Sequence, residues 1–238
     1  RHEGMVAAIA FESLVKLVAF LAVGVFVVWG LYAGPADLFS RAAERPELAA
    51  LLARGETSDG AWAWITLLSL LAFWFLPRQF QVAVVENVDE RHLKTSAWLL
   101  PLYLLVINLF VLPIALAGRL SPETAGSSAD GFVLSLPLTA GYEGLAVLVF
   151  LGGLSAATGM IIVESLALSN MVANDLVLPV LLRRKGAGGD FRFPLLISRR
   201  VAIAGVVLLG HLYAISAAAQ ASLVTIGLIS FAAVAQLA

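Results

Sequence analysis

Residues 5–32 read MVAAIAFESLVKLVAFLAVGVFVVWGLY, an apolar run interrupted only by the charges of Glu12 and Lys16. A helix that crosses the hydrocarbon core of a bilayer needs about 20 mostly apolar residues, and this run exceeds that. Lipid offers no water to the backbone, so every N–H and C=O in such a run must be bonded internally, and the run is a helix. Five more stretches pass the same test: 61–85, which contains Pro77, then 96–117, 142–182, 200–219 and 222–238. The fourth is longer than a span at a rise of about 1.5 Å per residue, so it is expected to leave the membrane near Asn174-Asp175. A β-barrel would need roughly ten-residue segments of alternating polarity, and the chain has none.

Composition agrees with six helical spans. The 238 residues are 61% hydrophobic and 13% charged, with a mean hydropathy of +0.94, against about 45–50% and about 25% in soluble domains. One soluble core cannot hide that surplus; a bilayer can. No cysteine is present, which removes disulfide, thiolate and cysteine–zinc chemistry. A net charge of −1 argues against a nucleic-acid partner, which calls for a concentrated basic surface. No phosphate loop, dinucleotide glycine pattern or catalytic triad is visible, so the chain is not expected to be an enzyme or to hold a cofactor. It opens on Arg1-His2-Glu3 and stops within an apolar run, and it reads as one piece of a larger protein.

The connecting stretches differ in kind. Residues 35–55 mix charges with Leu38, Leu48, Leu51 and Leu52 and predict an amphipathic helix lying at the interface. Residues 119–141 carry Ser, Pro, Gly and Asp and read as an irregular loop, and 183–192 is basic and glycine-rich. The N-terminal end and the stretches after the second and fourth spans hold nine Lys and Arg, the alternate connections four, with Lys16 and Arg78 inside spans. Cytoplasmic segments collect these residues. The N-terminal end, 86–95 and 183–200 are therefore expected in the cytoplasm, and 35–60 and 119–141 outside. The expected location is a bacterial inner (plasma) membrane, with the lipid bilayer as partner.

Several polar residues inside the spans are candidates for function. Glu12 and Lys16 are four apart on one helical face and can pair; an ionisable group in a span is expensive, and the plain alternative is a snorkelling pair near the cytoplasmic end. Pro77 interrupts the second span beside Arg78, Gln79 and Phe80. Broken helices are tolerated in lipid where they line protein or a wet cavity, and they form binding sites in transporters; the plain alternative is a helix end. In the fourth span Gly152, Ser155, Thr158, Gly159, Ser165 and Ser169 share one face at 100° per residue. Their hydroxyls suit a hard cation, while small residues also serve simple helix packing. Glu164 falls opposite Ser155. Tyr103 and Asn108 can hydrogen-bond between helices, and His211 reads as a packed histidine.

The run Leu71 to Phe80, followed by Glu86-Asn87, resembles the sodium:solute symporter superfamily. So do the small-residue run Gly152–Gly159, Asn174-Asp175-Leu176 after it, and Phe11-Glu12-Ser13 in the first span. The wording is most similar to the branch in which a symporter domain is fused to a sensor histidine kinase, and the resemblance runs from Gly4 to Ala238. It implies an all-α polytopic membrane protein of the LeuT-type inverted-repeat fold. This chain would supply the fifth core helix and the second repeat, and the first repeat would be its partner. It also implies a sodium site at Ser155, Thr158 and Gly159, a substrate or gate region at Pro77, Arg78, Gln79 and Phe80, and an ion path through Glu12 and Glu164. One departure bears on the ion. The family's hydroxyl pair falls on Gly159-Met160 or Ala156-Ala157, depending on alignment, so sodium and proton coupling both stay open.

Three functions follow as expectations. The first is a secondary active transporter module, a solute:cation symporter moving a small polar solute such as an amino acid. The second is a transporter-like sensory domain that binds a solute and signals to a C-terminal histidine kinase. The third is a structural subunit, in which the small-residue face serves packing alone.

Overall fold

The computed structural model describes residues 3–52, 59–185, 191–216 and 223–235, and every regular element among them is a helix. Four helical stretches are long and apolar enough to cross a membrane: Gly4–Leu31, Arg91–Leu120, Glu143–Arg183 and Arg192–Ser216. Large apolar side chains such as Trp98, Leu105, Val147, Phe150 and Leu209 stand exposed along them. Water would penalise that surface and lipid accepts it. The chain is an all-α protein of membrane type, and it divides into two compact units: Arg1–Leu67 with Asn87–Ala157, and Leu68–Glu86 with Thr158–Ala238.

In the first unit α1 (Glu3–Val25) continues through a wider π turn, Phe26–Leu31. Two short helices follow, α2 (Pro35–Ala43) and α3 (Pro46–Leu52), then the first part of α4 (Asp59–Phe75). After the excursion into the second unit come α6 (Arg91–Asn108), α7 (Val111–Leu120), α8 (Phe132–Thr139) and the start of α9 (Glu143–Met171). The core joins Val23, Val27, Leu38, Phe110, Phe132 and Leu136. Lipid tails are as apolar as leucine, so burial alone does not drive helices together there, and close packing must. Glycine supplies it. The Phe110 ring occupies the space a Cβ on Gly24 would need, and the Phe132 ring does the same at Gly118. At Gly152 a Cβ would come within 2.6 Å of the Ala19 methyl. Phe26 and Tyr142 rings pack at 4.7 Å, where Gly141, with φ of 78°, turns the chain from α8 into α9.

The α1–α2 corner is built from backbone. Gly34 has φ of 122°, a conformation open to glycine, and its N–H donates to the Val28 carbonyl at 3.0 Å. Pro35 follows as the first helical residue, where a missing N–H costs nothing. Asp37 accepts from the Arg41 Nε–H at 2.8 Å and from the Ala33 N–H at 3.1 Å. The Arg41 hydrogen bond, then the Ala33 one, holds the Asp37 carboxyl below its ordinary value.

The second unit takes up the end of α4 from Leu68. It continues with α5 (Pro77–Phe80), the π turn Gln81–Val85 and the later part of α9, from Thr158. A third π turn, Val172–Val177, leads into α10 (Leu178–Lys185), and α11 (Arg192–Ser216) and α12 (Leu223–Ala235) complete it. The Val172–Val177 turn packs against both α10 and α11.

Several sequence expectations change. The second span, 61–85, is two helices, because Leu76 leaves the helical region (φ −67°, ψ 121°) ahead of Pro77. The third begins at Arg91, before residue 96, and breaks at residues 109–110. Pro113 cannot donate to the Leu109 carbonyl and its ring crowds it, so α7 restarts at Val111. The loop 119–141 is not irregular throughout: Phe132–Thr139 is helical, and its apolar run is too short to register as a span. The interfacial helix 35–55 is two helices, split before Pro46, and Leu38, Ala42 and Leu48 are buried against protein, not lipid. The fifth span starts eight residues early, at Arg192. The sixth is described only for Leu223–Ala235. Residues 53–58, 186–190, 217–222 and 236–238, parts of the expected interfacial helix, basic loop and last two spans, lie outside the described residues.

Gly24→Ala is expected to destabilise the protein by roughly 1–3 kcal/mol through overpacking against Phe110, read as a lower unfolding midpoint in detergent; an unchanged midpoint would show that the ring moves aside freely. Because the Asp37 carboxyl is depressed, its contribution is present at neutral pH and lost as pH falls through that lowered value. Hydrogen exchange at the Ala33 amide should therefore accelerate on acidification below the ordinary carboxylate range, relative to the base rate at each pH, and Asp37→Asn should show that faster exchange already at neutral pH.

Candidate functional site

The break at Leu76–Pro77 is the most distinctive polar feature of the second unit. A helix end leaves its last carbonyls and first N–H groups without intrahelical partners. The Leu76 carbonyl accepts from the N–H of both Gln79 (3.0 Å) and Phe80 (3.2 Å), which starts the next helix. Arg78 and Gln79 are half-buried and Phe80 is exposed. The Arg78 Nε–H is buried and meets no hydrogen-bond acceptor among the described residues. One turn on, Gln81 is buried and its Nε2 donates to Glu86 Oε1 at 3.0 Å, while the Glu86 N–H donates to the Gln81 carbonyl at 3.0 Å. That ring of two hydrogen bonds closes the π turn and ties Glu86 to the break.

The hydroxyl face of α9 resolves into two groups. Ser165 Oγ donates to the Ile161 carbonyl at 2.6 Å and Ser169 Oγ to the Leu166 carbonyl at 2.8 Å. Both side chains are buried, and each has found its partner on its own helix. Neither needs a cation. Gly159 is buried, Ser155 half-buried and Thr158 exposed. Glu164 is half-buried. No group of three or more His, Asp or Glu residues with metal-holding geometry occurs among the described residues, so a hard cation here would depend on hydroxyl and backbone oxygens.

The expected Glu12–Lys16 pair does not form. The Lys16 ammonium lies instead over the Tyr103 ring, 5.8 Å from its centroid, while the Tyr103 hydroxyl donates to the Ser13 carbonyl at 3.3 Å. Tyr103 thus links α6 to α1, as its place in the sequence suggested. Asn108 does not bridge helices, since its Nδ2 donates to the Leu104 carbonyl of its own helix at 2.7 Å. His211 is exposed on α11, not packed.

Sequence reasoning missed Asp130. It precedes the hidden helix α8 and, with Lys16, lines a cavity of ≈ 490 Å³ in the first unit. The signal was an acidic residue two positions before the largely apolar run Phe132–Leu138, obscured by the small polar residues upstream. The roles of Gln81 and Glu86 could be read only as a polar pair five residues apart, a spacing that pairs in a π turn and not in an α-helix.

Compared with known proteins, the chain matches no family model, no curated protein and no solved structure.

Ser165→Ala and Ser169→Ala each remove a hydrogen bond made within one helix and are expected to cost about 1 kcal/mol or less, measured as thermal stability in detergent. A loss of several kcal/mol in either would point to a partner beyond the helix backbone.

Proposed function

We propose that the chain is part of a secondary active transporter that moves a small polar solute, such as an amino acid, with the Leu76–Pro77 break as a solute-binding element. The buried Arg78 Nε–H carries this reading. A charged donor withdrawn from water without an acceptor is costly, and a solute carboxylate would satisfy it, with the guanidinium fork favouring two parallel hydrogen bonds. Irregular backbone within an apolar segment is tolerated in lipid only where it faces protein or a water-filled cavity, which is where a transported solute would sit.

The likeness of Leu71–Phe80 and Gly152–Gly159 to the sodium:solute symporter superfamily supports a finer version. In it the chain is the second half of a LeuT-type fold in a bacterial inner membrane, with residues 86–95 on the cytoplasmic side. Gln79 and Phe80 belong to the gate with Pro77 and Arg78. Ser155, Thr158 and Gly159 form the ion site, and Glu12 and Glu164 lie on the ion path. Sodium or protons drive transport.

The test is uptake of radiolabelled amino acids by the full-length protein in proteoliposomes, under separate sodium and proton gradients. Arg78→Gln is expected to lower uptake kcat/KM roughly ten- to a hundredfold, the worth of a charge-assisted hydrogen bond. Arg78→Lys should recover only part of that, because an ammonium lacks the fork. Unchanged uptake in Arg78→Gln would remove the break from the binding element. Saturable binding with no uptake under either gradient would transfer the chain to the sensory reading, in which occupancy is relayed to a kinase.

A further inference from the structure

We propose that the first unit carries a separate binding site for an amphiphilic monocarboxylate (a single carboxylate on an apolar tail, of the free fatty-acid type) in the cavity beside Lys16. This does not depend on the transporter reading.

The cavity measures ≈ 490 Å³, within the usual range for small-molecule sites, and its lining is apolar apart from two charged residues, Lys16 and Asp130. Lys16 stands about 18 Å along α1 from Gly4, at 1.5 Å per residue, well inside the apolar stretch Gly4–Leu31. A cation at that depth is expensive unless something compensates it. Its observed partner is the Tyr103 ring, which replaces only part of a lost hydration shell. Glu12, one turn earlier, is not paired with it, and among the described residues no carboxylate lies within ion-pairing distance of Lys16. An anion entering the cavity would complete the site.

The walls define the rest of the ligand. Phe20, Val133, Leu134, Phe150 and Leu154 offer an apolar trough, and the last three of these are exposed, so the trough opens to the apolar surface of the unit. A ligand can arrive there from the bilayer. Asp130 shares the lining with Lys16, so the ligand head has to fit beside an existing carboxylate, which favours a small carboxylate head over a bulkier phosphate. Gly152 brings α9 against Ala19 of α1, and Gly153 beside it keeps the α9 side open. Beyond Gly153 no atom lies within 4 Å of where a Cβ would stand, so the trough runs directly over the helix backbone.

The experiment measures saturable binding of radiolabelled dodecanoate to the purified full-length protein in phosphatidylcholine nanodiscs, with competition by dodecanol, dodecyl phosphate and phosphatidylglycerol. Dodecanoate is expected to bind saturably, and dodecanol and dodecyl phosphate to compete at least about tenfold more weakly. Lys16→Gln should weaken dodecanoate about tenfold or more, and Lys16→Arg, which keeps the charge, by no more than about threefold. Gly153→Phe should abolish binding by filling the trough while leaving the melting temperature unchanged, which separates loss of the site from loss of the fold. The proposal is overturned if wild-type protein shows no saturable binding, or if binding ignores both Lys16→Gln and Gly153→Phe. It is equally overturned if phosphatidylglycerol outcompetes dodecanoate, which would assign the trough to two-chain phospholipids.

Discussion

The first unit rests on three places where a glycine lets another side chain reach a helix backbone: Gly24 under Phe110, Gly118 under Phe132, and Gly152 beside Ala19. In water, apolar helices associate because burial is favourable at any reasonable separation. In lipid that drive is absent, and what remains is contact at van der Waals distance. A methyl group at any of these glycines would hold the helices apart and forfeit the contacts around it. The residues packed against these seams, Val23, Val27, Ile114 and Leu136, form the core. By contrast, α6 buries none of its residues.

The second organising constraint is the backbone. Unbroken helices satisfy every interior N–H and C=O, so each departure from α geometry has a local cause and a local remedy. Leu76 precedes Pro77 and Leu109 lies four residues before Pro113; in both cases the proline removes the donor and the chain restarts on a carbonyl cap. The π turns at Phe26–Leu31, Gln81–Val85 and Val172–Val177 insert a residue without losing the helix. Such bulges often accompany functional positions. Here one holds Gln81, bonded to Glu86, and another holds Asn174 and Asp175.

Much of this could be read in the sequence, and the limits have physical reasons. Long apolar runs declare helices because lipid leaves the backbone no alternative, so the regions around 5–32, 96–117, 142–182 and 200–219 were legible in kind if not in boundary. Pro77 announced its break. Helix α8 was hidden because eight residues are too few for a span, and Ser127, Ser128 and Gly131 beside it carry the signature of a loop. The burial of Leu38, Ala42 and Leu48 was illegible, since an amphipathic pattern looks the same whether its apolar face meets lipid or α7. At the candidate sites, spacing gave Glu12 and Lys16 as a pair, but helical spacing permits a contact without choosing it, and Tyr103, distant in sequence, took the lysine. The same limit explains Ser165 and Ser169: their face was predictable, and their choice of backbone partner was a matter of rotamer.

The seam at Gly24 and the apolar face of α2 also have a history in time. Phe110, Ile114 and Leu116, which belong to the same core, lie some seventy residues further along the chain than Leu38. At about 5–20 residues per second, the ribosome needs on the order of several seconds to supply them. During that interval α1 is complete, yet the ring that will lie against Gly24 does not exist, and Leu38, Ala42 and Leu48 lack the part of their cover that α7 supplies. Until α7 arrives, the apolar face of the α2–α3 segment lacks the helix it packs against in the finished unit. Its amphipathic pattern, read as an interfacial helix, would suit a lipid surface during that interval. Its buried leucines describe the state in which it finishes, and one sequence has to be compatible with both.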